Sequence, residues 1–190
     1  MIKITKTIQQ QIENMTTDEL RTRLAEYMMR DTSLLPPLKA VEVRLADNNR
    51  GCRYEVLLID SEGNEFIVPF HDRYSRLIYI YALLHPKGFQ RRRVAADNYR
   101  ELCQLYSQLY FRDSAALLRT VETTDGERPG QFISQYVAQS RKAIRQASPL
   151  AKPFVFDLPQ RHNGRLLIPF AANGGTVIID SSLTTNPFNL

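Results

Sequence analysis

The stretch from Arg73 to Leu84 constrains the fold most, because it is apolar nearly all the way round a helix. One apolar stripe repeats at helical spacing and consists of Tyr74, Leu77, Ile78, Tyr81 and Leu84. Three more apolar residues lie beside this stripe: Tyr79, Ile80 and Leu83. Asp72 is suited to cap such a helix, and residues 85–88 are suited to end it. A helix with so small a polar face needs neighbours on every side, so we expect it to be the central helix of the fold.

The residues before this helix have the pattern of β-strands. Residues 40–70 contain three apolar or alternating segments, separated by turn sequences at 47–51 and 61–64. They predict a three-stranded antiparallel meander. Pro69 has no backbone N–H to donate, so we expect it at the end of its strand or on a sheet edge.

Further helices and short strands follow the central helix. Helices are predicted from about Ala95 to Phe111, from Asp113 to Val121 with Asp113 or Ser114 as its cap, and at 129–148; strands are predicted at 154–158, 165–170 and 176–180. Asn163-Gly164 is a strong hairpin signal between the first two of these strands. The order of sheet, helices and hairpin predicts an α+β fold.

The first 37 residues form a helical extension in this interpretation. Thr16-Thr17-Asp18-Glu19 has the form of a capping box, and the helix at 17–30 has a narrow apolar stripe of Leu20, Leu24, Tyr27 and Met28. That stripe can pack on the main body or against a second copy, which would make the protein a homodimer. The chain then divides into the extension 1–37, a domain at 38–180 and a tail at 181–190 without an organised pattern.

The helix predicted at 129–148 has two contrasting faces. Its buried face is predicted to contain Phe132, Ile133, Tyr136, Val137, Ala143, Ile144 and Ala147. The opposite face has amide and cationic donors and no carboxylate: Gln131, Ser134, Gln135, Ala138, Gln139, Lys142 and Arg145, with Arg141 at the boundary. Amides can pair with base edges and cations with phosphates, so this face suits a DNA major groove. A surface helix that happens to lack acidic residues is the alternative.

Basic residues are concentrated in the second part of the chain, although the net charge is only +5. Residues 1–70 carry 9 basic and 11 acidic side chains, whereas residues 71–190 carry 16 and 9. A separate basic cluster consists of Lys87, Arg91, Arg92 and Arg93. These residues either contact phosphates or form a solvated run of charges, and the sequence leaves both interpretations open. Clustering of this kind favours a polyanionic partner.

The order of sheet, helices and hairpin resembles a winged helix, in particular the effector domain of response regulators. The similarity covers about residues 40–180 and includes Phe132–Ile144, where an apolar-polar pattern runs into an Arg-Lys pair. Two features depart from that family: the segment 112–128 is longer than usual, and residues 1–37 are too few for a receiver domain.

The resemblance implies a winged helix-turn-helix with a three-helix core, preceded by a small antiparallel sheet and an N-terminal helix. It implies that the helix at 129–148 enters the major groove and that the hairpin at 154–170 is a wing, with Arg161, His162 and Arg165 near its tip. Duplex DNA is then the expected partner, and transcription regulation the expected function. The competing hypothesis is a winged-helix scaffold for protein partners, with residues 1–31 as the contact region, since winged helices also serve as interaction modules.

No enzymatic, metal or cofactor site is predicted. His71, His85 and His162 have no Cys, Asp or Glu at ligand or triad spacing beyond the adjacent Asp72, and capping or solvation explains them. Asn173-Gly174-Gly175 lacks the strand and helix of a phosphate-binding loop and predicts a turn.

The remaining sequence features are typical of an intracellular globular protein. Cys52 and Cys103 lie on apolar faces of different predicted elements and predict buried thiols rather than a disulfide. The chain has no run of eighteen apolar residues and no signal-type N-terminus, so we expect a cytoplasmic protein that makes no membrane contact.

Overall fold

The structure of the protein is a computed structural model. It describes residue 16 and the ranges 38–49, 51–90, 97–126, 130–147, 160–162 and 165–184. These ranges contain helices and two separate β-sheets. The α+β fold class expected from the sequence is therefore confirmed.

The larger sheet has four strands in the order β3-β2-β1-β7. Strands β1 (Leu38–Asn49), β2 (Cys52–Asp60) and β3 (Glu65–Ile67) pair antiparallel in succession, which confirms the predicted meander. Pro69 follows β3, which is an edge strand, as expected. Strand β7 (Thr176–Ile179) was predicted as a strand, but its parallel pairing with β1 was not, and this pairing makes the sheet mixed.

The turn between β2 and β3 is organised by Asp60, whose side chain is almost fully buried. Its Oδ1 accepts hydrogen bonds from the backbone N–H groups of Glu62 and Asn64 at 2.9 Å, and its Oδ2 accepts one from the Asn64 side chain at 2.8 Å. Burial raises the pKa of this carboxyl, but the hydrogen bonds outweigh burial and leave the pKa below its usual value. The ionised carboxylate therefore stabilises the turn.

Four helices form the other half of the fold: α1 (Arg73–Leu84), α2 (Asp97–Tyr110), α3 (Ala115–Asp125) and α4 (Gln131–Ala147). All four are predicted by the sequence, but α3 continues about one turn beyond Val121, into the predicted connector. The chain thus places a full helix between α2 and α4, where the three-helix core of the resemblance has none.

Side-chain caps begin two of these helices. The Oδ1 of Asp72 accepts from the backbone N–H groups of Tyr74 and Ser75, as predicted for α1. At α3 the Oδ1 of Asp113 accepts from Ala115 N–H at 3.1 Å, whereas Ser114 makes no side-chain capping bond. The cap of α3 is therefore Asp113, the first of the two alternatives.

Helix α1 is the central helix, as its sequence predicts, since ten of its twelve residues are buried. It packs against α2, α4 and the C-terminal hairpin. An aromatic cluster joins three of the helices: the Tyr74 ring lies 6.1 Å from that of Tyr106, 5.6 Å from that of Phe132 and 5.1 Å from that of Tyr136. Offset and edge-on ring pairs of this kind stabilise a core beyond the apolar area that they bury.

The smaller sheet has the order β4-β6-β5, made of β4 (Phe89–Gln90), β5 (Gln160–His162) and β6 (Arg165–Leu167). The antiparallel pairing of β5 with β6 confirms the hairpin predicted around Asn163-Gly164. Strand β5 lies in the segment predicted as a loop, because a two-residue connection lets pairing begin directly beside the turn. Gly88 (φ +76°) permits the close approach of β4 and β6, since a Cβ there would lie 2.8 Å from the Leu166 carbonyl oxygen.

Two predictions near the C-terminus are wrong. The strand predicted at 165–170 ends at Leu167, because Pro169 begins a short helix α5 (Pro169–Ala172), where a missing N–H costs nothing. The segment after 180 is not without pattern, because it begins with the helical turn α6 (Ser181–Thr184). Leu183 is fully buried there and joins the main core, so the packed region extends beyond the predicted boundary at 180.

Several predicted features lie outside the described residues. They are the helix at 17–30 with its proposed dimer contact, the strand at 154–158, and the basic residues Arg91, Arg92 and Arg93.

Replacing Asp60 with Asn should make stability less sensitive to acid. Its folded pKa lies below its unfolded value of about 3.9, so its stabilisation is complete above that value and is lost as the pH falls through the folded pKa. We expect Asp60→Asn to melt below the unmodified protein at pH 7, with a difference that shrinks below about pH 4. Thermal unfolding followed by circular dichroism at pH 2 to 7 measures this. A difference that stays constant across the range would contradict the account.

Candidate nucleic-acid interface

Helix α4 is anchored by one buried, mostly apolar face. The buried side chains are Phe132, Ile133, Tyr136, Val137, Ser140, Ala143 and Ile144. Six of these were predicted from the sequence; Ala147 is only half-buried, and Ser140 replaces it in the buried set. This face fixes which side of α4 is directed outward.

Ser140 attaches α4 to the central helix with a hydrogen bond. Its Oγ is fully buried, and its single proton is shared between the carbonyl oxygens of Ser75, at 2.7 Å, and Tyr136, at 2.8 Å. Further along α4, the Gln146 Oε1 is 3.0 Å from the His71 Nε2. The first contact joins α4 to α1, and the second joins α4 to His71, just before α1. Together they restrict rotation of α4 about its own axis.

Asp125, the last residue of α3, holds the first turn of α4. Its Oδ1 accepts from Phe132 N–H at 2.7 Å, and its Oδ2 accepts from Gly130 N–H and from the Tyr99 hydroxyl, both at 3.1 Å. Burial raises the pKa of Tyr99, and the neighbouring Asp125 carboxylate raises it further, so this phenol stays protonated and donates. Gly130, directly before α4, has a φ of +85°, which glycine adopts without strain.

The outward face of α4 has the composition predicted from the sequence. Its exposed residues include the predicted Gln131, Gln135, Ala138, Gln139, Lys142 and Arg145. Gln146 is exposed as well, but its Oε1 contacts His71. Ser134 and Arg141 are half-buried, and the Ser134 hydroxyl donates to the Gly130 carbonyl oxygen, so it is engaged within the helix. Gln131, Gln135 and Gln139 occupy the N-terminal part of this face, and Lys142 and Arg145 lie toward its C-terminal end.

The smaller sheet brings together two basic segments that are distant in the sequence. Gln90 on β4 pairs with Arg165 on β6, and the Arg165 Nη1 donates to the Lys87 carbonyl oxygen at 3.4 Å. The side chains of Lys87 and Arg165 are both exposed. Lys87 therefore belongs to the same surface as the hairpin. Arg161 and His162 lie on β5, but their side chains are outside the description.

The two other histidines have structural contacts. His71 contacts Gln146, as described above. His85 ends α1, with its Nδ1 2.8 Å from the Tyr81 carbonyl oxygen and its Nε2 3.3 Å from the Glu101 Oε2. Within the described ranges no three His, Cys, Asp or Glu side chains are grouped as metal ligands.

Sequence reasoning missed a buried arginine. Arg76 is 7% exposed and lines a cavity beside the N-terminus of α1. The signal in the sequence is a cation in the middle of a nearly all-apolar helix, but the cavity itself is formed by residues from three separate segments and has no local pattern.

No protein family, curated protein or solved structure matches this chain. None of the helices in the described ranges has both the length and the apolar character needed to span a bilayer.

Replacing Asp125 with Ala should destabilise the protein by about 1–2 kcal/mol, because it removes the acceptor for two backbone N–H groups at the start of α4. Asp113→Ala is the matched control, since the exposed Asp113 accepts from a single backbone N–H at the start of α3. We expect a smaller loss for the control. Urea unfolding of both variants measures the two losses, and equal losses would contradict the role assigned to Asp125.

Proposed function

We propose that this protein binds duplex DNA, with α4 in the major groove and the β5–β6 hairpin beside the phosphate backbone, in an arrangement of winged-helix type. The observation that carries the proposal is the exposed face of α4, which presents the amides of Gln131, Gln135 and Gln139 and two cations with no carboxylate among them.

The chemistry of this face matches direct reading of bases. A glutamine amide can donate and accept at once, and so can pair bidentately with the N6 and N7 positions of adenine. Recognition helices contact base edges mainly through their N-terminal residues, and Gln131 and Gln135 lie in the first half of α4. Ala138 in the middle of the face is small enough to allow a close approach.

The rigidity of α4 supports the same proposal. Base reading needs side chains that are held in register, because a misplaced donor loses its hydrogen bond. The buried apolar face, the Ser140 bond to α1 and the Asp125 contacts together fix the position, rotation and first turn of the helix. Asp125 is directed at backbone N–H groups, so its negative charge is engaged away from the outward face.

The hairpin supplies the sequence-independent part of the proposed interface. Lys87 and Arg165 are exposed and neighbouring, and cations of this kind bind phosphates and position a protein on duplex DNA. Helix α1 contacts both α4 and β6, so one buried element relates the two proposed contact surfaces. Helices α1, α2 and α4 are the proposed three-helix core, and α3 is an additional helix between α2 and α4.

Two substitutions on α4 should affect binding differently. Gln135→Ala should cost about 1–3 kcal/mol on a selected duplex and little on a scrambled one, because an amide bonded to a base is lost only where that base is present. Lys142→Ala should weaken binding to both duplexes by the same factor and reduce the slope of log affinity against log salt by about 1. Fluorescence anisotropy with both duplexes at several salt concentrations measures these effects.

Lys39→Ala is the control for charge removal, because Lys39 is also exposed but lies on β1 in the larger sheet. We expect it to bind both duplexes like the unmodified protein. If the unmodified protein fails to bind any duplex at micromolar concentration and low salt, the proposal is wrong and the protein-scaffold alternative is favoured. If Lys142→Ala and Lys39→Ala lose affinity equally, α4 is not the contact surface.

A further inference from the structure

A cavity of about 70 Å³ lies beside the N-terminus of α1. A single water occupies roughly 10–15 Å³ on the same measure, so the cavity has room for several waters or one small polyatomic ion. Its wall includes Phe70, His71, Asp72, Arg73, Arg76 and Tyr110. Most of these are polar or charged, which distinguishes the cavity from an ordinary packing void.

Arg76 is the unusual member of this wall. Only 7% of its surface is exposed, and its Nη1 donates one hydrogen bond, to the Tyr54 carbonyl oxygen at 3.3 Å. Its buried Nε has no hydrogen-bond partner. Within the described residues no carboxylate lies close enough to form an ion pair with it. A guanidinium has five N–H donors, and burying its charge without an anionic partner is costly, so this environment is incomplete as it stands.

The neighbouring groups do not supply the missing partner. The Asp72 Oδ1 accepts from the backbone of α1, and the Tyr110 hydroxyl donates to the Arg73 carbonyl oxygen at 2.8 Å. Burial raises the pKa of Tyr110, so this phenol keeps its proton. The two arginines and one aspartate of the wall together carry one net positive charge.

We propose that this cavity binds a small oxyanion, with the Arg76 guanidinium as its principal partner. A carboxylate or a phosphate oxygen pair matches the planar fork of a guanidinium, and one negative charge would neutralise the wall. The cavity volume limits the ligand to the size of acetate or inorganic phosphate, or to the anionic end of a larger metabolite. The residues of this site are different from those of the proposed DNA contacts. One residue of its wall, His71, contacts Gln146 in the last turn of α4.

Thermal unfolding of the full chain tests the site. Sodium formate, acetate and phosphate are each titrated against sodium chloride at constant ionic strength and pH 7. We expect at least one oxyanion to raise the melting temperature saturably, by roughly 3–6 °C at ten times its dissociation constant. The comparison of carboxylates with phosphate identifies which oxyanion the site prefers.

Arg76→Met separates a specific site from general salt effects. It should melt no lower than the unmodified protein in chloride, because it removes a buried charge without a partner, and it should lose the saturable response. Arg119→Met, which removes an exposed arginine on α3, should keep that response. No saturable response in the unmodified protein, or the same response in Arg76→Met, would overturn the proposal.

A measurement on the unmodified protein covers the case in which Arg76→Met does not fold. The Arg76 Nε–H resonance in a ¹H–¹⁵N spectrum should shift with the same anion concentration dependence as the melting temperature. A resonance that does not move during an anion titration would equally overturn the proposal.

Discussion

The packing of α4 against the buried helix α1 is the interaction on which the rest of the structure depends. The aromatic rings of Tyr74, Phe132 and Tyr136 fill this contact, and the fully buried Ser140 hydroxyl adds a directional bond from α4 to α1. Aromatic burial supplies most of the free energy in such a contact, whereas the hydroxyl favours one rotation of the helix, because only that rotation brings it to the Ser75 carbonyl oxygen as well as to the Tyr136 carbonyl oxygen of its own helix. Since α1 also packs against α2 and β6, the orientation of α4 and of the hairpin follows from one element.

Local patterns predicted the parts of the fold that depend on local physics. The helical stripes, the Asp72 cap, the meander and the Asn163-Gly164 hairpin each reflect periodicity or turn chemistry within about twenty residues. The pairing of β7 with β1 and of β4 with β6 joins segments that are far apart in the chain, and no local pattern specifies it. The strand predicted through Pro169 was wrong because an apolar run before a proline is compatible with both a strand and a helix start.

Some features of the candidate interface could also be predicted from the sequence, and others could not. The inward and outward faces of α4 could be read from the sequence, because a 3.6-residue period determines both. The Ser140 bond, the Asp125 contacts and the neighbouring positions of Lys87 and Arg165 could not, because each depends on how separate elements meet. A face of amides and cations held this rigidly is suited to reading a duplex, and the absence of carboxylates lowers the electrostatic cost of approaching phosphates. The cavity beside Arg76 is a further positively charged region, formed by residues from three separate segments.

We propose that the exposed face of α4 contacts DNA. The most direct measurement is a titration of the ¹⁵N-labelled protein with a selected duplex, followed in ¹H–¹⁵N spectra that include the glutamine side-chain amides. We expect the side-chain NH₂ signals of Gln131, Gln135 and Gln139 and the backbone signals of α4 to change most, with smaller changes in β6. Changes confined to the larger sheet, or glutamine signals that remain unmoved while the duplex is bound, would contradict it.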